Sequence, residues 1–196
     1  MKFIARMVFN VILLVLISGC ISMQQMQNGM DEIDLFWGEA NQKIISSKGA
    51  RTYPNKTLDC WYAAKESAIQ LGFTITEESN NSIFTAQALT PTPFTVDEYK
   101  TIKAIEEPMM QAIAANHVGK FYSNFYYLDE GGKFYVTIKV HITPEIEDKS
   151  SVRVSFRIDP KEDIKGFVYG HNPPPEAIRK GFEKWWYAFE SNLIKK

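Results

Sequence analysis

Three histidines, two cysteines and a late cluster of acids are the side chains whose chemistry could define a task for this chain. His117, His141 and His171 are each isolated, with no second ligand at helical or strand spacing. Two thiols cannot build a four-cysteine zinc site or a disulfide framework. The H-E-x-x-H, G-x-S-x-G, P-loop and C-x-x-C patterns are absent. Asp159, Glu162, Asp163 and His171 could be assembled into an acid–base or metal-binding group, but their spacing fits no ligand pattern. His141 and Lys139 share a strand face that Arg153 and Arg157 could join across a hairpin. A solvated strand face is the first reading, and a cationic face for an acidic protein or lipid head groups is the second. Glu77-Glu78 and Glu106-Glu107 read as turn and helix-surface charges. No catalytic residue, metal ligand or cofactor is expected.

Charge narrows the classes further. Lys and Arg number 22 against 23 Asp and Glu, a formal net charge of −1. Nucleic-acid binding by bulk charge needs an excess of basic side chains and is not expected. Aromatic residues make up 13% of the 196 residues, enough for a real core in one domain.

The first twenty residues carry a different chemistry. Lys2 and Arg6 precede an apolar run from Met7 to Ile17, interrupted only by Asn10. That run is shorter than the roughly 20 apolar residues a bilayer span needs, and suits a secretory signal. Ile17-Ser18-Gly19-Cys20 then places a branched apolar residue and two small ones before a cysteine. The chain here resembles bacterial lipoproteins, whose lipobox has that order. The resemblance implies cleavage between Gly19 and Cys20, and lipidation of Cys20 as the new first residue. It implies a membrane partner at the cell envelope. Ile21, rather than Asp, follows the cysteine, which resembles the default sorting to the outer membrane, on its periplasmic side. Losing Lys2 and Arg6 with no acid moves the formal charge from −1 to −3. Cys60 would be the remaining thiol, read as a small buried hydrophobe in a helix.

The expected organisation is a signal peptide over 1–19, a flexible lipidated tether over 20–30 and one domain over 31–196. Asp31 to Ser47 can form a helix with Ile33, Phe36, Trp37, Ala40 and Ile44 on one side. Thr57 can cap a second helix carrying Leu58, Trp61, Ala64, Ala68 and Leu71, with Gly72 at its C-terminal end. Phe73 to Thr76 and Ile83 to Leu89 read as strands around an Asn80-Asn81 turn. Thr95 and Glu98 form a capping box for a helical insertion over about 95–116, which Pro108 should kink or end. Phe121 to Leu128, Phe134 to Thr143 and Val152 to Ile158 read as three strands, the last two alternating strictly. Glu176 to Ile194 closes the chain as a helix with Ile178, Phe182, Trp185, Phe189 and Leu193 on one stripe.

The predicted fold class is α+β: an antiparallel sheet packed by helices on one face, with a long amphipathic C-terminal helix, in a helix-grip-like arrangement. The order also resembles the small domains of accessory lipoproteins in the outer-membrane β-barrel assembly machinery, over roughly 57–89 and 133–195. No site residue follows from that likeness. The aromatic run Phe121 to Tyr127 either leaves rings exposed for an interface or packs against the 95–116 insertion. Tyr122, Tyr126, Tyr127 and Trp186 are the candidate interface residues, since Trp186 points about 100° from the Trp185 stripe and needs its own cover. The first functional expectation is a non-enzymatic accessory or assembly factor that contacts an envelope protein. The second is a carrier or sensor for an apolar small molecule or lipid held between sheet and helix, and the third is an envelope enzyme.

Overall fold

A computed structural model describes residues 21–128, 131–146, 149–161 and 172–195. Cys20 and the residues before it, residues 129–130, and Glu162, Asp163 and His171 lie outside the described residues. The elements run α1 (Met23–Lys48), β1 (Ala50–Tyr53), α2 (Thr57–Gln70), β2 (Thr74–Ser79), β3 (Ile83–Leu89) and α3 (Val96–Tyr122). A short 3-10 turn (Ser123–Phe125), β4 (Phe134–Pro144), β5 (Ser150–Pro160) and α4 (Pro175–Ile194) complete the chain. The five strands form one antiparallel sheet in the order β1-β5-β4-β3-β2.

Strict alternation in β4 and β5 produces the sheet's two faces. Val136 pairs with Ile158, Ile138 with Phe156 and Val140 with Val154, while Ala88, Ala86 and Phe84 of β3 extend the same three rows. This apolar face meets α2 and α4, as the pattern predicts. Trp61 of α2 sits edge-on to Phe84 at 5.4 Å between centroids, and Phe182 of α4 edge-on to Phe156 at 5.1 Å. Each ring buried this way stabilises the fold by about 1.5–3 kcal/mol. Arg153, Arg157, Lys139 and His141 lie on the opposite, exposed face. Arg157 is paired there with Asp159 at 3.0 Å.

A second, smaller core sits apart from the first. Ile33 and Trp37 of α1 pack with Met110, Ala114 and Val118 of α3 and with Tyr126 and Leu128 beyond it. Pro108 neither ends nor divides α3, contrary to expectation: Ile102, Glu106, Met110, Ala114 and Val118 continue one buried stripe across it. The helix loses its regular geometry only at Gly119, where φ is +76°. The Thr95–Glu98 capping box is present as expected.

Four local expectations are corrected. Residues 23–30 are not a flexible tether but the first two turns of α1, started by a reciprocal cap between Ser22 and Gln25 and held by buried Gly29. Residues 121–128 are not a strand. They finish α3, form the 3-10 turn and return along α3, because Tyr126 and Leu128 find partners in the second core rather than in a ladder. β1, pairing with β5, takes the sheet edge instead. Lys56, not Thr57, occupies the N-cap of α2, and Thr57 Oγ1 meets Ser150 Oγ at 3.2 Å. Leu58 is exposed, while Cys60 is buried beside Trp61 as a small core side chain.

Candidate ligand cavity

Where the two cores meet they do not close. A cavity of about 320 Å³ lies between the end of the sheet and the start of α4 on one side, and α1 and α3 on the other. That volume is at the small end of ligand sites, which run from about 300 to 1,000 Å³. Val136, Phe156 and Ile158 form its sheet wall, and Ala177, Ile178 and Gly181 its α4 wall. Met26, Met30 and Trp37 come from α1, and Tyr99 and Met110 from α3. The Thr90–Phe94 stretch and Phe125 to Leu128 supply the remainder. Among the described residues no acidic, basic or histidine side chain lines it.

Two glycines stand at the cavity. Gly181 of α4 faces Phe156 of β5, where a Cβ would stand at an ordinary 3.5 Å from the ring. Gly131, at φ +126°, approaches Pro91 so closely that a Cβ would lie 2.9 Å from its Cδ. Next to it the Gly132 N–H donates to the Thr90 carbonyl at 2.8 Å and is 3.0 Å from Thr90 Oγ1. The pair fastens the Thr-Pro-Thr-Pro stretch at the cavity edge.

Several backbone polar groups of the irregular segments around the cavity are paired with side chains. Asn41 Nδ2 donates to the Pro173 carbonyl at 2.8 Å, and the Asn172 N–H donates to Asp34 at 2.9 Å. Gln111 donates to the Tyr126 carbonyl at 3.2 Å, and Glu107 accepts from the Leu128 N–H at 3.0 Å. Glu106, read from sequence as a surface charge, is only 3% exposed and accepts the Glu176 N–H at the start of α4 at 2.6 Å. Burial holds its carboxyl above the ordinary carboxylate range, although that hydrogen bond pulls the other way. Lys184 of α4 reaches Glu98 of α3 at 2.8 Å.

One polar atom in the cavity wall is left over. The Trp37 indole N–H is buried and has no hydrogen-bond partner among the described residues. A buried donor without an acceptor costs about 1–3 kcal/mol.

The four aromatic residues expected at an interface divide. Tyr122 and Tyr127 are exposed, at 42% and 56%. Tyr126 is buried in the second core, where its hydroxyl donates to the Met26 carbonyl and desolvation raises its pKa. Trp186 is buried as well. Its cover comes from β1 and α4: Tyr53 and Phe189 pack around it, the Arg51 guanidinium lies 4.8 Å above its ring, and its N–H donates to the Lys48 carbonyl at 2.7 Å. Tyr126 and Trp186 therefore cannot serve as interface anchors, because both are core. The cavity itself has no marker in the sequence beyond the apolar ends of β4, β5 and α4.

Among the described residues no group of three potential metal ligands occurs, and no helix is long and apolar enough to cross a membrane. Compared with protein-family models, with curated proteins and with solved structures, the chain finds no match in any of the three.

Proposed function

We propose that this protein is a lipid-anchored envelope protein whose domain takes up an acyl chain, or a ligand of similar shape, as a carrier or sensor. The observation that carries this reading is the cavity of about 320 Å³ where the two cores meet, which no charged side chain lines among the described residues. Side chains around an empty apolar hole have no dispersion partners on one side, which favours filling it. The apolar and aromatic side chains of its described lining suit an acyl chain. The anchor follows from the lipobox resemblance at Cys20. Cys20→Ala should abolish fatty-acid labelling and leave the precursor unprocessed.

Native mass spectrometry of the full protein extracted from membranes tests the ligand. A bound species of acyl-lipid mass is the expected result. A protein that leaves the membrane empty, and stays empty when offered hexadecanoic acid, would end the reading.

A further inference from the structure

We infer that the aromatic end of α3, formed by Phe121, Tyr122 and Phe125, is the surface on which the domain rests against a lipid bilayer. This rests on the proposed anchorage and adds an orientation to it. The three side chains are 72%, 42% and 62% exposed. They are also packed on one another, with ring centroids at 5.2 Å (Phe121–Tyr122), 6.3 Å (Phe121–Phe125) and 6.2 Å (Tyr122–Phe125). Three scattered exposed rings would mean little, but a contiguous aromatic block on the surface marks a contact. Phe and Tyr at this density suit the membrane–water boundary, where an apolar ring body and a phenolic tip each find their preferred phase. Lys120 stands exposed beside the block, a sign suited to anionic head groups.

The position of the chain's own N-terminal segment selects a bilayer over other occupants. Ile21 packs on the second core together with Val118 and Tyr126, the neighbours in sequence of the aromatic block. The Tyr126 hydroxyl reaches the Met26 carbonyl at 2.8 Å, so the first turn of α1 and the end of α3 share one end of the molecule. Cys20 and the apolar run Met7 to Ile17 join the domain there. Any membrane attachment through residues 1–20, by lipid or by the apolar run itself, brings this end to the bilayer first.

The consequence concerns the cavity. Phe125 belongs both to the block and to the cavity wall, and exposed Tyr127 lines the cavity beside it. With the block against the membrane, the part of the cavity wall that carries these two residues lies nearest the lipid.

A nitroxide label tests the orientation. The full, lipidated protein is placed in vesicles of phosphatidylethanolamine and phosphatidylglycerol with Phe121→Cys as one labelling site and Ile146→Cys as the control. Both positions are highly exposed, and the native Cys60 is buried. Ile146 follows the far end of β4, about 25 Å along the strand from the cavity-lining Val136. The expected result is a reversal: the label at 121 is quenched more by oxygen than by a water-soluble nickel chelate, and the label at 146 the other way round. If the protein floats with the vesicles yet the label at 121 behaves like that at 146, the docking surface is wrong and the anchorage stands. If the protein does not float at all, anchorage and docking surface both fall.

Discussion

Tyr126 and Met26, a hundred positions apart in the chain, are joined by a hydrogen bond of 2.8 Å from the phenol to the backbone carbonyl. The bond fastens the first turn of α1 to the segment that leaves α3, and both residues line the cavity. Gly29 makes room for it, since a Cβ at that position would come within 3.0 Å of the phenol oxygen. The cavity's second wall thus depends on a contact between two segments whose local sequence reads as a tether and a strand.

Tyr126→Phe should therefore lower stability by about 1 kcal/mol, the usual net value of one buried hydrogen bond. Gly29→Val should cost more, because its branches would displace the ring itself. Urea denaturation of the three proteins checks both the direction and the order.

Trp37→Phe removes the unpartnered indole donor while keeping an aromatic ring in the wall. The ligand-free protein should be no less stable in thermal denaturation. Denaturation midpoints of the two ligand-free proteins check it.

The two glycines at the cavity should respond in opposite ways. Gly181→Ala, inside α4 and with ordinary van der Waals space toward Phe156, should stabilise the protein by about 0.5–1 kcal/mol through helix propensity. Gly131→Ala should destabilise it by at least that much, since its φ of +126° and the 2.9 Å approach to Pro91 both exclude a Cβ. Chemical denaturation of the pair gives the signs.

Stability should carry a pH signature from Glu106. Its raised pKa means the folded state holds the proton more tightly than the unfolded chain. The stability contributed by that group is full below the ordinary carboxylate range and is lost as pH rises through the raised value. Glu106→Gln keeps an acceptor for the Glu176 N–H and removes the loss. Denaturation midpoints should shift in the variant's favour as pH rises above the ordinary carboxylate range. Glu98 and Glu176, whose pKa values are lowered by Lys184 and Arg179, lose stability in the opposite direction as pH falls. Glu98 does so in both proteins and cancels in the comparison, whereas Glu176 is charge-coupled to Glu106 and does not cancel fully.

The legible parts of the fold are those where one segment alone shows which face is buried. β4, β5 and α4 have strict periods, and Ile138, Val140, Val154, Phe182 and Trp185 lie where those periods point. The start of α1 is hidden because Gln, Asn and Met carry little contrast. The spacing of Met26, Met30, Ile33 and Trp37 is the available signal, and it is clear only once α3 is known to lie opposite. Residues 121–128 have the composition of a strand, but strand formation requires a neighbour and the sheet is already complete without them. The cover over Trp186 comes from Arg51 and Tyr53, more than 130 positions upstream, where no local pattern reveals it. A cavity is harder still, since it consists of the places where two cores fail to touch.

The most direct test of the central claim is a fluorescence titration of the full protein with parinaric acid, a fatty acid whose emission rises in apolar surroundings. The comparison protein carries Ala177→Phe, which places a ring in the cavity from the half-buried first turn of α4. The expected result is saturable one-to-one binding by the wild type, weakened about tenfold or more in the variant, at an unchanged denaturation midpoint. Absence of saturable binding in the wild type, or equal binding in a folded Ala177→Phe protein, would contradict the claim that this cavity holds the ligand.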